Sequence, residues 1–400
     1  MLSFLYSVLI FKYKLATWLF SFVNTKARKR IRGLNVQQSD FDRQFSIISD
    51  NRILIHCASL GEYEQAAPVV TWVLDNTELD IVISFFSPSG YENCNLISPR
   101  CVKCYLPFDL QSDMGSFLRK VDPAKVIITK NEWWWNMLHI LKSKQIPTFL
   151  ISSTIRNNHY FIKYPLPFFR DGLAVFSSTF VLNEASKDTL SLMYSGQINV
   201  SGDTRKDQVL AIKDKVTVPK RIEPTVIYGS AWLDDLPIIK EIIIELPNYN
   251  HFIYPHDLNK ENISAFCDEL DCNRHDSISD ISGTFVINSM GQLKEDYALA
   301  QIAYIGGGFG EGIHNILEAA VFNIPTLFGP RFQKSEEAKE LIDLEVAYSI
   351  TKPTQLKPIL NKLVTNEYQE EINLKLNGYF SASKSATESI CAEIFKINRL

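Results

Sequence analysis

From residue 52 onward the chain alternates short β-branched or aromatic runs with longer helical stretches, and it does so in two sets. The first set is RILIHC (52–57), DIVISFF (80–86), KVIITK (125–130), TFLISS (148–153) and TFVLN (179–183). The second restarts with TVIYGS (225–230) and continues through HFIYPH (251–256), TFVINS (284–289), IAYIGGG (302–308) and PTLFGP (325–330). Strands spaced by helices in this way build βαβ units around parallel sheets. A chain of 400 residues exceeds one ordinary core and fits two domains. The polar stretch SGDTRKDQVLAIKDKVTVPKRIEP, with Pro219 and Pro224, places a linker at 205–224. The expectation is an α/β protein with two Rossmann-like, doubly wound domains. They are assigned to 34–204 and 225–400, with the last helix packing back on the first domain. In such sheets ligands bind beyond the carboxyl ends of the strands, so a cleft facing both sets of strand ends is expected.

Composition narrows the class. Hydrophobic residues at 46% and charged residues at 22% describe an ordinary globular chain. A net charge of -4 supplies no general attraction to nucleic acid, which is excluded as a partner. No obligate protein partner is inferred. Seven scattered cysteines suit a reducing, cytoplasmic setting better than a disulfide framework. Cys101 with Cys104 makes a CxxC, but Cys267 and Cys272 do not complete a zinc ribbon, so no metal site is expected.

Residues 1–23 are apolar and aromatic, with Lys12 and Lys14 in their middle. A spanning helix needs about 20 predominantly apolar residues, and central lysines oppose it. An interfacial helix tolerates them, because lysines snorkel while Phe, Leu and Trp enter the headgroup region. Lys26, Arg28, Lys29, Arg30 and Arg32 follow directly, each worth about 1 kcal/mol beside an anionic leaflet. Residues 1–33 are therefore read as a membrane-associating segment, the alternative being a first domain helix with a solvated basic end.

Three segments carry chemistry. In HCASLGEYEQAAP (56–68), Gly61 permits a tight turn and presents Glu62 at a strand-to-helix corner, where the helix N-terminus favours an ionised carboxylate able to accept a proton. Glu62 as a plain helix cap is the competing reading. In KNEWWWNM (130–137), three tryptophans cannot all face one core. Glu132 and Asn136, four apart, are expected on one helix face beside an aromatic wall suited to a sugar or an acyl chain; a packed aromatic corner is the alternative. In IGGGFGEGIHNILEAA (305–320), Gly306, Gly307 and Gly308 are expected to expose backbone amides to a phosphate. His314 and Asn315 stand at the helix start, and Glu318, a turn later on the same face, is expected to accept both hydroxyls of a ribose; a structural glycine turn is the alternative. Gly229 and Ser230 end one strand, His256 another, and NSMGQL (288–293) a third, where Met290 and Gly291 offer backbone to a nucleobase. Walker A, HExxH, GxSxG and strand-end DxD patterns are absent, which argues against NTPases, zincins, serine hydrolases and metal-dependent GT-A transferases.

These segments together resemble the Kdo (3-deoxy-manno-octulosonic acid) transferase family, Bacteroidetes-type members above all. HCASLGEYEQAAP looks like the family's SxGE segment. FFSPSGYE, YLPFD, KNEWWWN, SGDTRKD, YGSAW, NSMGQL, IAYIGGGFGEGIHNILEAA and PTLFGP follow in the family's order. The resemblance implies a GT-B fold and an inverting, metal-independent transfer of Kdo from CMP-Kdo to the glucosamine 6-hydroxyl of a lipid A precursor. The setting it implies is the cytoplasmic face of the inner membrane, with no cofactor besides the donor. Glu62 matches the family's general base and Glu132 a second carboxylate near the acceptor. Gly229, Ser230, His256, Met290, Gly291, Gly307, His314, Asn315 and Glu318 match its CMP site. Two segments depart from the pattern: Lys130 stands where many members carry Glu, and NSMGQL replaces DTMGEL at Asn288, Ser289 and Gln292. Another nucleotide-sugar enzyme of this architecture, such as a lipid-linked N-acetylglucosamine transferase or a UDP-sugar epimerase, is the alternative. A non-catalytic sugar or nucleotide binder is the third reading.

Overall fold

A computed structural model describes residues 2–396 apart from 157–158, 165, 218–222, 280 and 383. The chain divides into two compact units. The first comprises Met1–Asp207 with Lys384–Leu400, and the second Gln208–Ser383.

The first unit is built on seven strands: β1 (Arg52–Cys57), β2 (Asp80–Phe85), β3 (Cys101–Tyr105), β4 (Lys125–Thr129), β5 (Thr148–Ser153), β6 (Phe176–Val181) and β7 (Ile198–Val200). They pair in parallel in the order β3-β2-β1-β4-β5-β6-β7. Strand order reverses between β1 and β4, so the connections leaving those two strands run to opposite sides and open a crevice at their carboxyl ends. β1 is buried on both faces. Ile53, Ile55 and Cys57 join one apolar cluster, and Leu54 the other. Each such side chain withdrawn from water contributes roughly 1.5–3 kcal/mol. That two-sided burial is why RILIHC reads as a continuous apolar run.

The second unit repeats the design with β8 (Thr225–Ala231), β9 (Asn250–Pro255), β10 (Asn273–His275), β11 (Thr284–Ile287), β12 (Ile302–Ile305), β13 (Thr326–Phe328) and β14 (Ala347–Ser349). Their order is β10-β11-β9-β8-β12-β13-β14, again all parallel, with the reversal between β8 and β12.

Helix α1 (Leu2–Phe20) and helix α2 (Thr25–Phe45) lead into the first unit. α2 runs through residue 33 without a break, so the apolar and basic segment is not a separate module. Phe4, Leu5, Leu9, Phe11, Leu15 and Trp18 of α1 are exposed, while Lys14 pairs with Asp113 at 2.7 Å. No helix among the described residues is long and apolar enough to cross a membrane. The basic cluster is only partly a surface feature. Arg30 is buried, bonding the carbonyls of Phe86 and Leu106 and lying over the Phe86 ring, and Lys29 pairs with Glu92 at 2.7 Å.

The stretch expected as a linker carries a helix, Thr204–Lys213, and its residues 218–222 lie outside those described. Helix Ala386–Phe395 completes the first unit's core. Its Ile390, Cys391 and Ile394 join Val69, Val70 and Val73 of α3 (Leu60–Asn76), and Asp207 caps it by accepting from the Thr387 N–H and hydroxyl, both at 2.7 Å.

Candidate active site

Both groups of predicted residues sit where the topology directs them. Glu62 follows β1 and Glu132 follows β4, the strands flanking the reversal in the first sheet. Gly229 and Ser230 end β8 and Gly306 follows β12, the corresponding strands of the second.

In the first unit, Glu62 occupies the third position of α3, and its Oε2 accepts from the Ser59 N–H at 2.7 Å and the Ser59 hydroxyl at 3.2 Å. The cap reading is thus realised, but both bonds land on one carboxylate oxygen. Gly61 does not make the expected turn: it lies inside α3, outside the left-handed region, and a Cβ there would meet open space. The turn after β4 is made by Lys130, left-handed at φ 60, whose N–H donates to the Ile151 carbonyl at 2.8 Å.

Glu132 lies just after that turn, before the helix Trp135–Ser143 begins. It therefore shares no helix face with Asn136, contrary to the sequence expectation. Asn136 is buried instead, its N–H on Oδ2 of Asp109 at 2.9 Å and its amide directed to the Asp109 carbonyl and Ser7. Burial, and then the neighbouring Glu62, push the Glu132 carboxyl up from 4.5 to about 7, against Lys130 and a hydrogen bond from Trp134. Trp133 and Trp135 are core residues. Trp134 is half-buried, stacks on Phe86 at 4.7 Å between centroids, and donates its indole N–H to Nε2 of His56 at 3.1 Å. Burial lowers His56 to about 3, so the ring is neutral. With Nε2 accepting, Nδ1 carries the proton and faces the Ser84 carbonyl at 3.2 Å and hydroxyl at 3.0 Å.

In the second unit the triple glycine serves close packing. A Cβ on Gly308 would stand 2.5 Å from Cα of Gly329, and one on Gly229 would stand 1.7 Å from the Tyr297 hydroxyl. The expected display of free amides fails for two of the three glycines. The Gly306 N–H donates to the Gly229 carbonyl at 2.8 Å, and the Gly307 N–H to Oδ2 of Asp235 at 3.0 Å. Asp235 is fully buried. Its Oδ2 also takes the Trp232 N–H at 2.8 Å and its Oδ1 the Tyr304 hydroxyl at 2.8 Å, which joins β8, β12 and the glycine turn.

His256 and His314 come together, at 4.6 Å between ring centroids, with Trp232 stacked on His256 at 4.7 Å. The Trp232 indole donates to Nε2 of His314 at 3.2 Å, and burial, followed by His256, lowers His314 to about 4. His314 and Asn315 precede the one-turn helix Leu317–Ala320. The Asn315 amide donates to Oε1 of Glu318 at 3.2 Å, and Lys294 pairs with the same oxygen at 3.1 Å. Gly291 is left-handed at φ 91, and Met290 is 82% exposed, outside the histidine stack. His56, Trp232 and Asp235 were not singled out from the sequence. Each works through a partner distant in the chain, and the only local signal was position beside a strand end.

Two doubly wound parallel sheets, each with candidate site residues beyond its reversal point, define the GT-B class. Solved structures of this fold align over most of the chain. A UDP-N-acetylglucosamine 2-epimerase does so at TM-score 0.58 and 14% identity, covering 87% of this chain and 97% of its own. Acinetobacter baumannii MurG does so at 0.54 and 11%, covering 87% and 100%. Residues 25–208 match the family described as 3-Deoxy-D-manno-octulosonic-acid transferase (kdotransferase). The 3-deoxy-D-manno-octulosonic acid transferase of Haemophilus influenzae is 26% identical, over 73% of this chain and 74% of its own. That of Chlamydophila psittaci is 25% identical, over 76% and 75%. A bifunctional glycosyltransferase/methyltransferase of Fusobacterium nucleatum is 22% identical over 86% of this chain, which spans 57% of that longer protein.

Proposed function

We propose that the protein transfers Kdo from CMP-Kdo to the 6-hydroxyl of a glucosamine in a lipid A precursor, with inversion, at the cytoplasmic face of the inner membrane. The observation that carries the reading is the placement of Glu62 after β1 and Glu132 after β4, at the reversal point of the first sheet, where partial burial and then Glu62 push the Glu132 carboxyl up to about 7. Glu62 takes the acceptor hydroxyl proton as that oxygen bonds to the anomeric carbon, the bond from that carbon to the CMP phosphate oxygen breaks, and CMP leaves with the electron pair. Its second oxygen, not engaged by Ser59, is the one assigned to that proton. Glu132 binds the acceptor. The donor belongs to the second unit, with Ser230, His256 and His314 at the phosphate, Asn315 and Glu318 at the ribose, and Met290 with Gly291 at the base. Asp235, not free glycine amides, holds the turn in shape. The chemistry asks for no metal, since CMP is already a good leaving group.

The lipid acceptor and membrane setting are supported by the exposed apolar side chains of α1 and by an adjoining groove of about 810 Å³ lined by Phe11, Leu15, Trp18, Ile31, Phe41 and Phe117. Incubating the full chain with CMP-Kdo and a tetraacylated lipid A precursor, read by mass spectrometry, tests the whole reading. Mass added in Kdo increments is expected, and Glu62→Gln is expected to keep CMP-Kdo binding while losing turnover. An unmodified acceptor overturns it. The shared fold with a UDP-N-acetylglucosamine 2-epimerase favours one second reading, a UDP-sugar enzyme. Thermal stabilisation by UDP but not CMP would select it.

A further inference from the structure

Glu318, the carboxylate assigned to the ribose, stands on a helix of a single turn, Leu317–Ala320, and its side chain is only 11% exposed. A carboxylate taken that far from water needs charged or hydrogen-bonded partners to stay ionised. Two of them meet it at one oxygen. The Asn315 amide donates to Oε1 at 3.2 Å, while the Asn315 Oδ1 accepts the Leu317 N–H at 3.2 Å, and the Lys294 ammonium reaches the same Oε1 at 3.1 Å. Asn315 belongs to the same turn of chain; Lys294 does not. It extends from the short helix Leu293–Asp296, which directly follows Met290, Gly291 and Gln292. That helix is fastened to the ends of two strands. The Tyr254 hydroxyl, at the end of β9, donates to Oδ2 of Asp296. Tyr297, the next residue, lies so close to Gly229 of β8 that a Cβ there would stand 1.7 Å from its hydroxyl. Lys294 thus starts from an anchored backbone and ends on Glu318.

We propose that Lys294 is a positioning residue for donor binding: its ammonium holds Oε1 of Glu318 and thereby sets the direction in which Oε2 meets the ribose hydroxyls. Two bonds arriving at one oxygen from different elements fix the plane of a carboxylate whose side chain has three rotatable bonds. Without the ammonium, Oε1 keeps the neutral Asn315 donor but loses the anchor from the neighbouring helix, and the carboxylate swings about Asn315. The same pair ties the stretch assigned to the base, Met290 with Gly291, to the group assigned to the ribose. The inference rests on the donor reading of the second unit and deepens it by naming what aims its ribose carboxylate. A merely structural ion pair would weaken every nucleotide alike, whereas a positioning role shows only on nucleotides that carry ribose hydroxyls.

Isothermal titration of the full chain with CMP and with 2′,3′-dideoxy-CMP, which lacks both hydroxyls, separates the two. Lys294→Met keeps the stem without the charge. It should weaken CMP roughly tenfold, as loss of a charge-assisted hydrogen bond does, and leave the dideoxy nucleotide within about twofold. Glu318→Gln should show the same selectivity, and the double variant should bind CMP no more weakly than Glu318→Gln alone. Lys294→Ala is the second variant, and whichever of the two melts cooperatively is read. Unchanged CMP affinity, equal losses on both nucleotides, or losses that add in the double variant overturn the proposal. A parent chain that binds neither nucleotide would instead refute the donor assignment beneath it.

Discussion

The hydroxyl of Tyr6 donates to Oδ2 of Asp109 at 2.7 Å, and the same carboxylate takes the N–H groups of Asn136 and Met137, both at 2.9 Å. One buried carboxylate therefore fastens α1 to the start of the helix that follows Glu132. Burial raises Asp109 to about 6 although all three bonds favour its ionised form. Tyr6→Phe should raise it further and destabilise the first unit by about 1–3 kcal/mol, more at pH 8 than at pH 5. Urea unfolding at the two values checks both the size and the sign; equal losses would mean that the hydroxyl does not serve the charged carboxylate.

Glu132 is held near 7 in the fold against 4.5 when free. Its protonated form is thus favoured by folding, a contribution present below about pH 4.5 and lost as pH rises through 7. Glu132→Gln removes that loss and should make the protein more stable than the parent at pH 8, by up to roughly 3 kcal/mol, while changing little at pH 4. Melting curves at both values suffice. A variant that gained nothing at pH 8 would show that the carboxyl is not under strain.

Asp235 separates two substitutions that look alike. Asn can keep an oxygen toward the Trp232 and Gly307 N–H groups and turn its amide to the Tyr304 hydroxyl, which then accepts, so stability and CMP binding should survive within about 1 kcal/mol. Ala leaves those donors buried without partners and should cost roughly 3 kcal/mol and most CMP affinity. Isothermal titration with CMP beside a denaturation curve tests this, and an Asp235→Ala chain that binds normally would remove Asp235 from the site.

Arg30 and Arg32 are two residues apart and should behave oppositely. Arg30→Met strips partners from two strand-end carbonyls and should lower stability by about 2–4 kcal/mol, without a specific effect on vesicle binding. Arg32→Met, at an exposed position, should leave stability within about 0.5 kcal/mol and weaken partition onto anionic vesicles by about 1 kcal/mol. Flotation at two salt concentrations distinguishes them; identical behaviour would remove the distinction between a buried and a surface guanidinium.

The ten strands legible from the sequence are all central ones, apolar on both faces. Those that went unread, β3, β7, β10 and β14, are the four edges of the two sheets. β10 (Asn273–His275) is exposed throughout, β7 (Ile198–Val200) has no buried residue, and β3, though buried elsewhere, carries Lys103 in its middle. Such segments lack the apolar run by which a buried strand announces itself. At the site, residue type and strand-end position were readable for Glu62, Glu132, His256 and His314. Local geometry was not. Whether Glu132 lies on a helix depends on where Asp109 receives the amides of residues 136 and 137, and whether the glycine amides are free depends on Asp235. Those facts reside in pairs separated by 27 and 72 positions, beyond any local pattern.

Helix Ala386–Phe395 covers α3, yet the ribosome makes α3 early and its cover last of all the described helices. Val69, Val70 and Val73 must therefore remain uncovered while the whole second unit is synthesised and folds. The first half of the chain emerges first and is finished second, a delay in which chaperones, or proteases, have their opportunity.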